Sequence, residues 1–214
     1  EAGMLQFHNV PTVYHAKKAE GAGLDGLIVT GYEAGGHVAY EPIHTIVVVP
    51  AVVNAVNIPV VAGGGICDGA GLVAALAFGA QGIYMGTRFI ATKECEFNQK
   101  VKEAIIAAKE KFPKKTATVV TQGFYGPLRH LKNEYSMKLL EMAARGDSAQ
   151  ELFEYESRAA FLAKGPEGDI INGAIWAGQV ARRIDSIPSV KELIERIMWE
   201  AEEIIRKMPE RYLT

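Results

Sequence analysis

Residues 58–87 read IPVVAGGGICDGAGLVAALAFGAQGIYMGT. An apolar run, Ile58 to Ala62, meets a glycine turn, Gly63 to Asp68. A helix-forming stretch follows to about Phe78, and a second apolar run, Gly82 to Gly86, closes the segment. Strands without polar alternation are buried on both faces, which implies a parallel sheet covered by helices. The same order holds upstream. Met4 to Val10 reads as a strand, and Pro11 to Gly23 as a helix with proline in its first turn and glycine just past its end. Asp25 to Gly31 (DGLIVTG) is a buried strand, followed by a long glycine-bearing loop to His44 and a helix from about Thr45 to Val56. Four β/α units in series predict an α/β fold of TIM-barrel type, (β/α)8, of which half is present, since a full barrel typically takes about 250 residues. A fragment of a longer chain, copies that associate to close the sheet, or a separate partner would each complete it, and exposed sheet edges favour self-association.

Beyond Thr87 the pattern turns helical. Glu96 to Phe112, Asn133 to Arg145, Ala149 to Lys164 and Ser189 to Met208 read as amphipathic helices, with Thr116 to Thr121 a short strand. In the last helix, apolar residues at 190, 193, 194, 197, 198, 201, 204, 205 and 208 trace one face, which predicts core packing.

The 214 residues are 49% apolar and 22% charged, the balance of a folded chain with a core. No run of 18 uncharged apolar residues occurs, so no membrane span is expected. With 23 basic and 25 acidic side chains the net charge is −2, leaving no basic excess for nucleic acid. Cys67 and Cys95 form no CxxC and have no histidine at metal-ligand spacing, so neither disulfide nor metal is expected. The start, Glu1-Ala2-Gly3-Met4, has no signal-peptide pattern and runs almost at once into a strand. The expected location is a reducing cytoplasm, and the expected chain is one that begins partway through a longer protein.

Gly63-Gly64-Gly65-Ile66-Cys67-Asp68-Gly69 lies between a buried strand and a helix. Glycines let the backbone come close to a ligand at positive φ, and the free amides of the following helix should point the same way, which suits a phosphate. Tyr84-Met85-Gly86-Thr87 again places glycine and a hydroxyl at a strand end, and barrels commonly hold phosphate between the loops of their last two strands. One unit earlier stands Tyr32-Glu33-Ala34-Gly35-Gly36-His37. A neutral imidazole at that rim can take a proton from an acidic carbon or donate to a developing anion. Glu33 would orient it or cap a turn. His8, His15, His44 and His130 read as structural or surface groups.

The runs GLDGLIVTGYEAGGH and VPAVVNAVNIPVVAGGGICDGAGLVAALAFGAQGIYMGTRFIATKEC resemble the flavin-dependent nitronate monooxygenases and, equally, the flavin-type enoyl-acyl-carrier-protein reductases. Arg129 to Asn133 and Ala177-Gly178-Gln179 resemble segments of the same superfamily. The resemblance implies the C-terminal half of an FMN-binding barrel in residues 1–91, with a mainly helical segment, 92–214, packed on or inserted into it. It implies a phosphate on Gly64, Gly65 and the Met85-Gly86-Thr87 turn, with Thr30 and Tyr84 also among the cofactor-binding residues. Gly35 would lie beside the flavin, His37 next to its ring as catalytic base or substrate anchor, and Gly178 and Gln179 at its edge. At Thr30 the monooxygenases usually carry Gln and the reductases often Glu. The implied substrate is an alkyl nitronate or nitroalkane. The reductase alternative takes an enoyl thioester with NAD(P)H as electron donor, and a third reading is a non-catalytic half-barrel that binds flavin or phosphate. An inosine-monophosphate-dehydrogenase type of barrel needs a nucleophilic cysteine before these strands, where neither cysteine stands. The partners implied are a small-molecule substrate and either a further copy or the N-terminal half.

Overall fold

The computed structural model describes residues 3–112, 115–123 and 125–213. They divide into two compact units. The first holds the residues up to Glu33, Glu41–Met85 and those from Lys191 on; the second holds Ala34–Tyr40 and Gly86–Val190. The division is therefore not the linear one expected near residue 91: the C-terminal helix belongs with the β/α units, and the Gly35–His37 stretch with the helical part.

In the first unit β1 (Phe7–Val10), β2 (Gly26–Thr30), β4 (Val60–Gly63) and β5 (Gly82–Tyr84) form a four-stranded parallel sheet in the order β1-β2-β4-β5. That order follows the chain without reversal. A doubly wound sheet would reverse at a switch point, so the arrangement is that of successive barrel strands. Helices α1 (Val13–Gly21), α2 (Thr45–Val53) and α3 (Gly69–Ala77) connect them. The core is made by the branched side chains of Val10, Leu27, Val29, Val48, Val49, Val52 and Val60, with Ile66 and several alanines. Only Val10 of β1 is buried, and Met4 and Leu5, expected in that strand, lie exposed before it.

Helix α8 (Val190–Tyr212) runs past Pro209, which lacks an N–H but leaves the helix continuous, so the end expected at Met208 is four residues early. Its buried line is Leu193, Ile197 and Ala201. Ile194, Met198, Ile205 and Met208 are each 43–49% exposed, so the apolar face expected to be core is only partly so.

The second unit contains an antiparallel sheet of order β3-β7-β6, made from β3 (Gly36–His37), β6 (Thr118–Gly123) and β7 (Gly126–Leu131). Around it stand α4 (Thr87–Ile90), α5 (Gln99–Lys111), α6 (Glu134–Arg145), α7 (Ala149–Lys164) and a 3-10 turn, Gln179–Arg183. The starts of α6 and α7 are fixed by capping boxes, Asn133 with Ser136 and Ser148 with Glu151, and α6 stops at Gly146 in the left-handed conformation. Tyr135, Leu139, Leu152, Ala159 and Ala174 form a buried cluster in this unit. Among the described residues no helix is long and apolar enough to cross a membrane, and no group of His, Cys, Asp or Glu could hold a metal ion.

Candidate functional site

β4 ends at Gly63, and the chain then takes φ of +94° at Gly64 and +74° at Gly65, a region that glycine enters without the steric cost borne by other residues. A Cβ on Gly64 would lie 2.8 Å from the Gly31 carbonyl oxygen and 2.9 Å from Thr45 Oγ1, so the turn is closed on that side. Among the described residues none accepts from the N–H groups of Gly64, Gly65 or Ile66. Thr30 Oγ1 is buried in the same unit with no hydrogen-bond partner among the described residues, 3.2 Å from where a Cβ on Gly63 would sit. A run of unclaimed amides beside a buried, unpartnered hydroxyl suits a group rich in acceptor oxygens.

The helix that follows has two of its first amides already claimed. At the start of α3, Asp68 Oδ1 takes the Gly71 N–H at 2.9 Å, and Glu200 Oε2, from α8, takes the Gly69 N–H at 2.9 Å. Carboxylates stabilise a helix N-terminus for the reason a phosphate would, and here they already occupy it. The start of α2 is held likewise. Glu33 Oε2 accepts from Thr45 N at 3.0 Å and from Thr45 Oγ1 at 2.9 Å, and its Oε1 lies 3.1 Å from His44 Nδ1. Burial works to raise the Glu33 pKa, but hydrogen bonds from its own backbone, from Thr45 and from His44 outweigh it and hold the carboxyl below the usual carboxylate range. Of the two roles open to Glu33, capping a turn is the one its bonds serve. Tyr84, at the end of β5, is 48% exposed, whereas the Met85 side chain packs against the first unit's core.

In the second unit three of the expected residues meet. Thr87 Oγ1 accepts the buried Gly178 N–H at 2.9 Å, so the hydroxyl assigned to a phosphate has its oxygen tied to the segment before the 3-10 turn. A Cβ on Gly35 would come within 2.5 Å of the Ala177 carbonyl carbon and of Gly178 N, a contact only glycine permits. Gly86 and Gln179 are exposed. His37 is not in a free loop: it pairs with Leu128 across β3 and β7, and its exposed ring stands 6.5 Å from that of Tyr125. His130 is the structural histidine expected, fully buried, with Nε2 3.0 Å from Thr121 Oγ1. Burial, with the charge of His37 adding, pushes its pKa down to about 4. Cys67 is buried and Cys95 partly so, and neither forms a disulfide. The residue that sequence reasoning passed over is Thr45, legible there only as a hydroxyl at a helix start.

The nitronate monooxygenase family profile matches residues 1–200. The chain belongs to that family. Among nitronate monooxygenase-like proteins, it is 36% identical over 211 residues to a probable nitronate monooxygenase of Staphylococcus saprophyticus, covering 92% of this chain and 56% of the relative. It is 32% identical over 235 residues to a Rhodococcus jostii protein named (3aS,4S,5R,7aS)-5-hydroxy-7a-methyl-1-oxo-octahydro-1H-indene-4-carboxyl-CoA dehydrogenase, covering 94% of this chain and 65% of the relative. Among solved structures, FabK from Thermotoga maritima superposes with a TM-score of 0.87 at 35% identity, over 98% of this chain and 64% of that one. The chain thus spans between about half and two thirds of the length of the family members it matches. The α/β, barrel-type fold expected from the sequence stands, as does the superfamily that the EAGGH, GGI and MGTRF blocks resemble.

Proposed function

We propose that this nitronate monooxygenase family member is the FMN-binding part of an oxidoreductase that converts alkyl nitronates or nitroalkanes to carbonyl compounds and nitrite. The observation that carries the reading is the run of amides at Gly64 to Ile66, unclaimed among the described residues, in a family member. Those amides would hold the phosphate monoester of FMN, with Thr30 as a further donor and Tyr84 and Met85 alongside; for Gly86 and Thr87 the reading rests on the family resemblance alone. Gly35, Gly178 and Gln179 would lie along the ring system. When bound, FMN supplies electron acceptance from the substrate and onward transfer to oxygen.

His37 accepts the α-proton of a nitroalkane, or holds the nitronate anion by donating a hydrogen bond. Its place in a strand pair fixes the backbone from which it works. Gly35 keeps side-chain atoms away from the Gly178 backbone, and Thr87 holds that backbone through its N–H. His37→Ala in FMN-loaded protein is expected to lower nitrite release and oxygen uptake by about 10²-fold or more while the protein stays yellow. Unchanged turnover with flavin bound removes His37 from the reaction.

A second reading has support of its own. The likeness to a protein named as a carboxyl-CoA dehydrogenase favours an acyl thioester as substrate, and the reductase alternative would take an enoyl thioester with NAD(P)H as electron donor. NAD(P)H oxidation that depends on an enoyl thioester, without nitrite release from nitroalkanes, selects it.

A further inference from the structure

We propose that Thr45, anchored by Glu33, is a positioning residue that aims the amides of the Gly63–Gly65 turn at the ligand's phosphate. The inference rests on the flavin reading above and names the residue that sets phosphate recognition at that site.

A peptide unit is planar and trans, so its N–H points opposite to its C=O. Fixing a carbonyl therefore aims the amide that follows. The Gly63 carbonyl accepts the Gly31 N–H at 3.0 Å, which turns the Gly64 N–H the other way. The Gly64 carbonyl accepts from Thr45 Oγ1 at 2.9 Å, which does the same for the Gly65 N–H. Two consecutive carbonyls are tied on one side, and two consecutive amides, unclaimed among the described residues, are presented on the other. Backbone amides arrayed in this way make an anion-binding concavity.

Thr45 can do this because its own position is fixed twice by one carboxylate oxygen. Glu33 Oε2 takes both its N–H and its hydroxyl, at 3.0 and 2.9 Å. The hydroxyl has a single proton to share among Glu33 Oε2 and the Gly64 carbonyl, each at 2.9 Å, and the Gly63 carbonyl at 3.4 Å. Space around the hydroxyl is full: a Cβ on Gly31 would fall 2.2 Å from Thr45 Oγ1, and one on Gly64 2.9 Å from it. The threonine is thus one of the neighbours that keep positions 31 and 64 as glycine, beside its own backbone at Gly31 and the positive φ of Gly64. A Cβ on Gly65 would approach Glu33 Cβ at 3.2 Å, so the anchor packs against the turn as well.

The test compares FMN with riboflavin, which lacks the phosphate, in the whole 214-residue chain, with amide hydrogen exchange of a peptide covering residues 60–68. Thr45→Val keeps the shape and removes the hydroxyl, and Thr45→Ser keeps the hydroxyl. Wild type and Thr45→Ser should prefer FMN over riboflavin, and Thr45→Val should lose about tenfold of that preference with riboflavin affinity unchanged. The turn amides should exchange faster in Thr45→Val without any ligand. Thr45→Ala serves in its place should the valine variant be insoluble. An equal preference for FMN in wild type and Thr45→Val, or equal exchange in the ligand-free proteins, overturns the proposal. Absence of FMN binding by wild type would instead count against the flavin reading, and the exchange comparison would still decide what Thr45 does to the turn.

Discussion

Lowering the pH from 7 towards 4 should remove stability from the second unit through the imidazole of His130. The ring is fully enclosed, its Nε2 is 3.0 Å from Thr121 Oγ1, and the Tyr135 ring stands edge-on at 5.3 Å. Burial strips water from the cation, and the charge of His37 adds to the effect, so the pKa falls from 6.5 to about 4. In the unfolded chain the same group titrates near its ordinary value. Between those two pH values the unfolded chain binds a proton that the folded chain refuses. Stability is therefore fully present above pH 6.5 and is lost as pH falls through the folded value. The interval from 6.5 to about 4, at about 1.36 kcal/mol per pH unit, makes the loss about 3 kcal/mol at most. His130→Gln keeps a polar head for Thr121 and does not titrate. Trp176 forms a bridge with His130, and of the two tryptophans in the chain the other is Trp199, so Trp199→Phe leaves a fluorescence reporter beside the imidazole. Urea unfolding of that protein and of its His130→Gln derivative should be compared from pH 7 to pH 4. Carboxylates such as Glu33 titrate in both and cancel in the difference. The stability difference between the two proteins should shift by about 3 kcal/mol towards the glutamine variant over that range, and His37→Ala should recover part of the loss. A difference constant to within about 0.5 kcal/mol refutes the reasoning, because the buried imidazole would then be taking its proton as readily as a hydrated one.

That imidazole also marks where sequence reading stops. The parallel strands were legible because Leu27, Val29, Val60 and their neighbours carry their burial in their own side chains. β7 reads GPLRHL, and proline, arginine and histidine argue for a surface loop. Yet Arg129 and His130 are both buried, because hydroxyls of β6 are there to meet them: Thr118 Oγ1 accepts from Arg129 Nη1 at 3.3 Å, and Thr121 pairs with His130. Those partners are fixed by strand register, which six residues of β7 cannot reveal. β3 is a glycine and a histidine, and its strand character comes wholly from the backbone it pairs with. The candidate site divides in the same way. Gly64 and Gly65 show in the sequence because positive φ selects glycine. The claim of Glu200 on the Gly69 amide does not show, since it arrives from 131 positions away and depends on how α8 packs. The half-exposed face of α8 is the converse case, a pattern that reads as core and is buried only along one line.

Two further substitutions probe the second unit. Gly35→Ala sets a methyl 2.5 Å from the backbone at Ala177 and Gly178, where no flexible side chain can give way. It should cost about 1–3 kcal/mol in urea unfolding, and a neutral alanine would mean that the two segments separate freely. Thr87→Val is nearly isosteric and leaves the buried Gly178 N–H without its acceptor, which should cost about 1–3 kcal/mol. Thr87→Ser should restore most of the loss, since the oxygen alone is what the amide needs. Trp176 fluorescence reads both, being two residues from Gly178. If valine proves as stable as threonine, the amide has found another acceptor. The Thr87 hydroxyl accepts with a lone pair and keeps its own proton to donate, so in either outcome it stays able to meet a phosphate, the role that its place after the Met85-Gly86 turn first suggests.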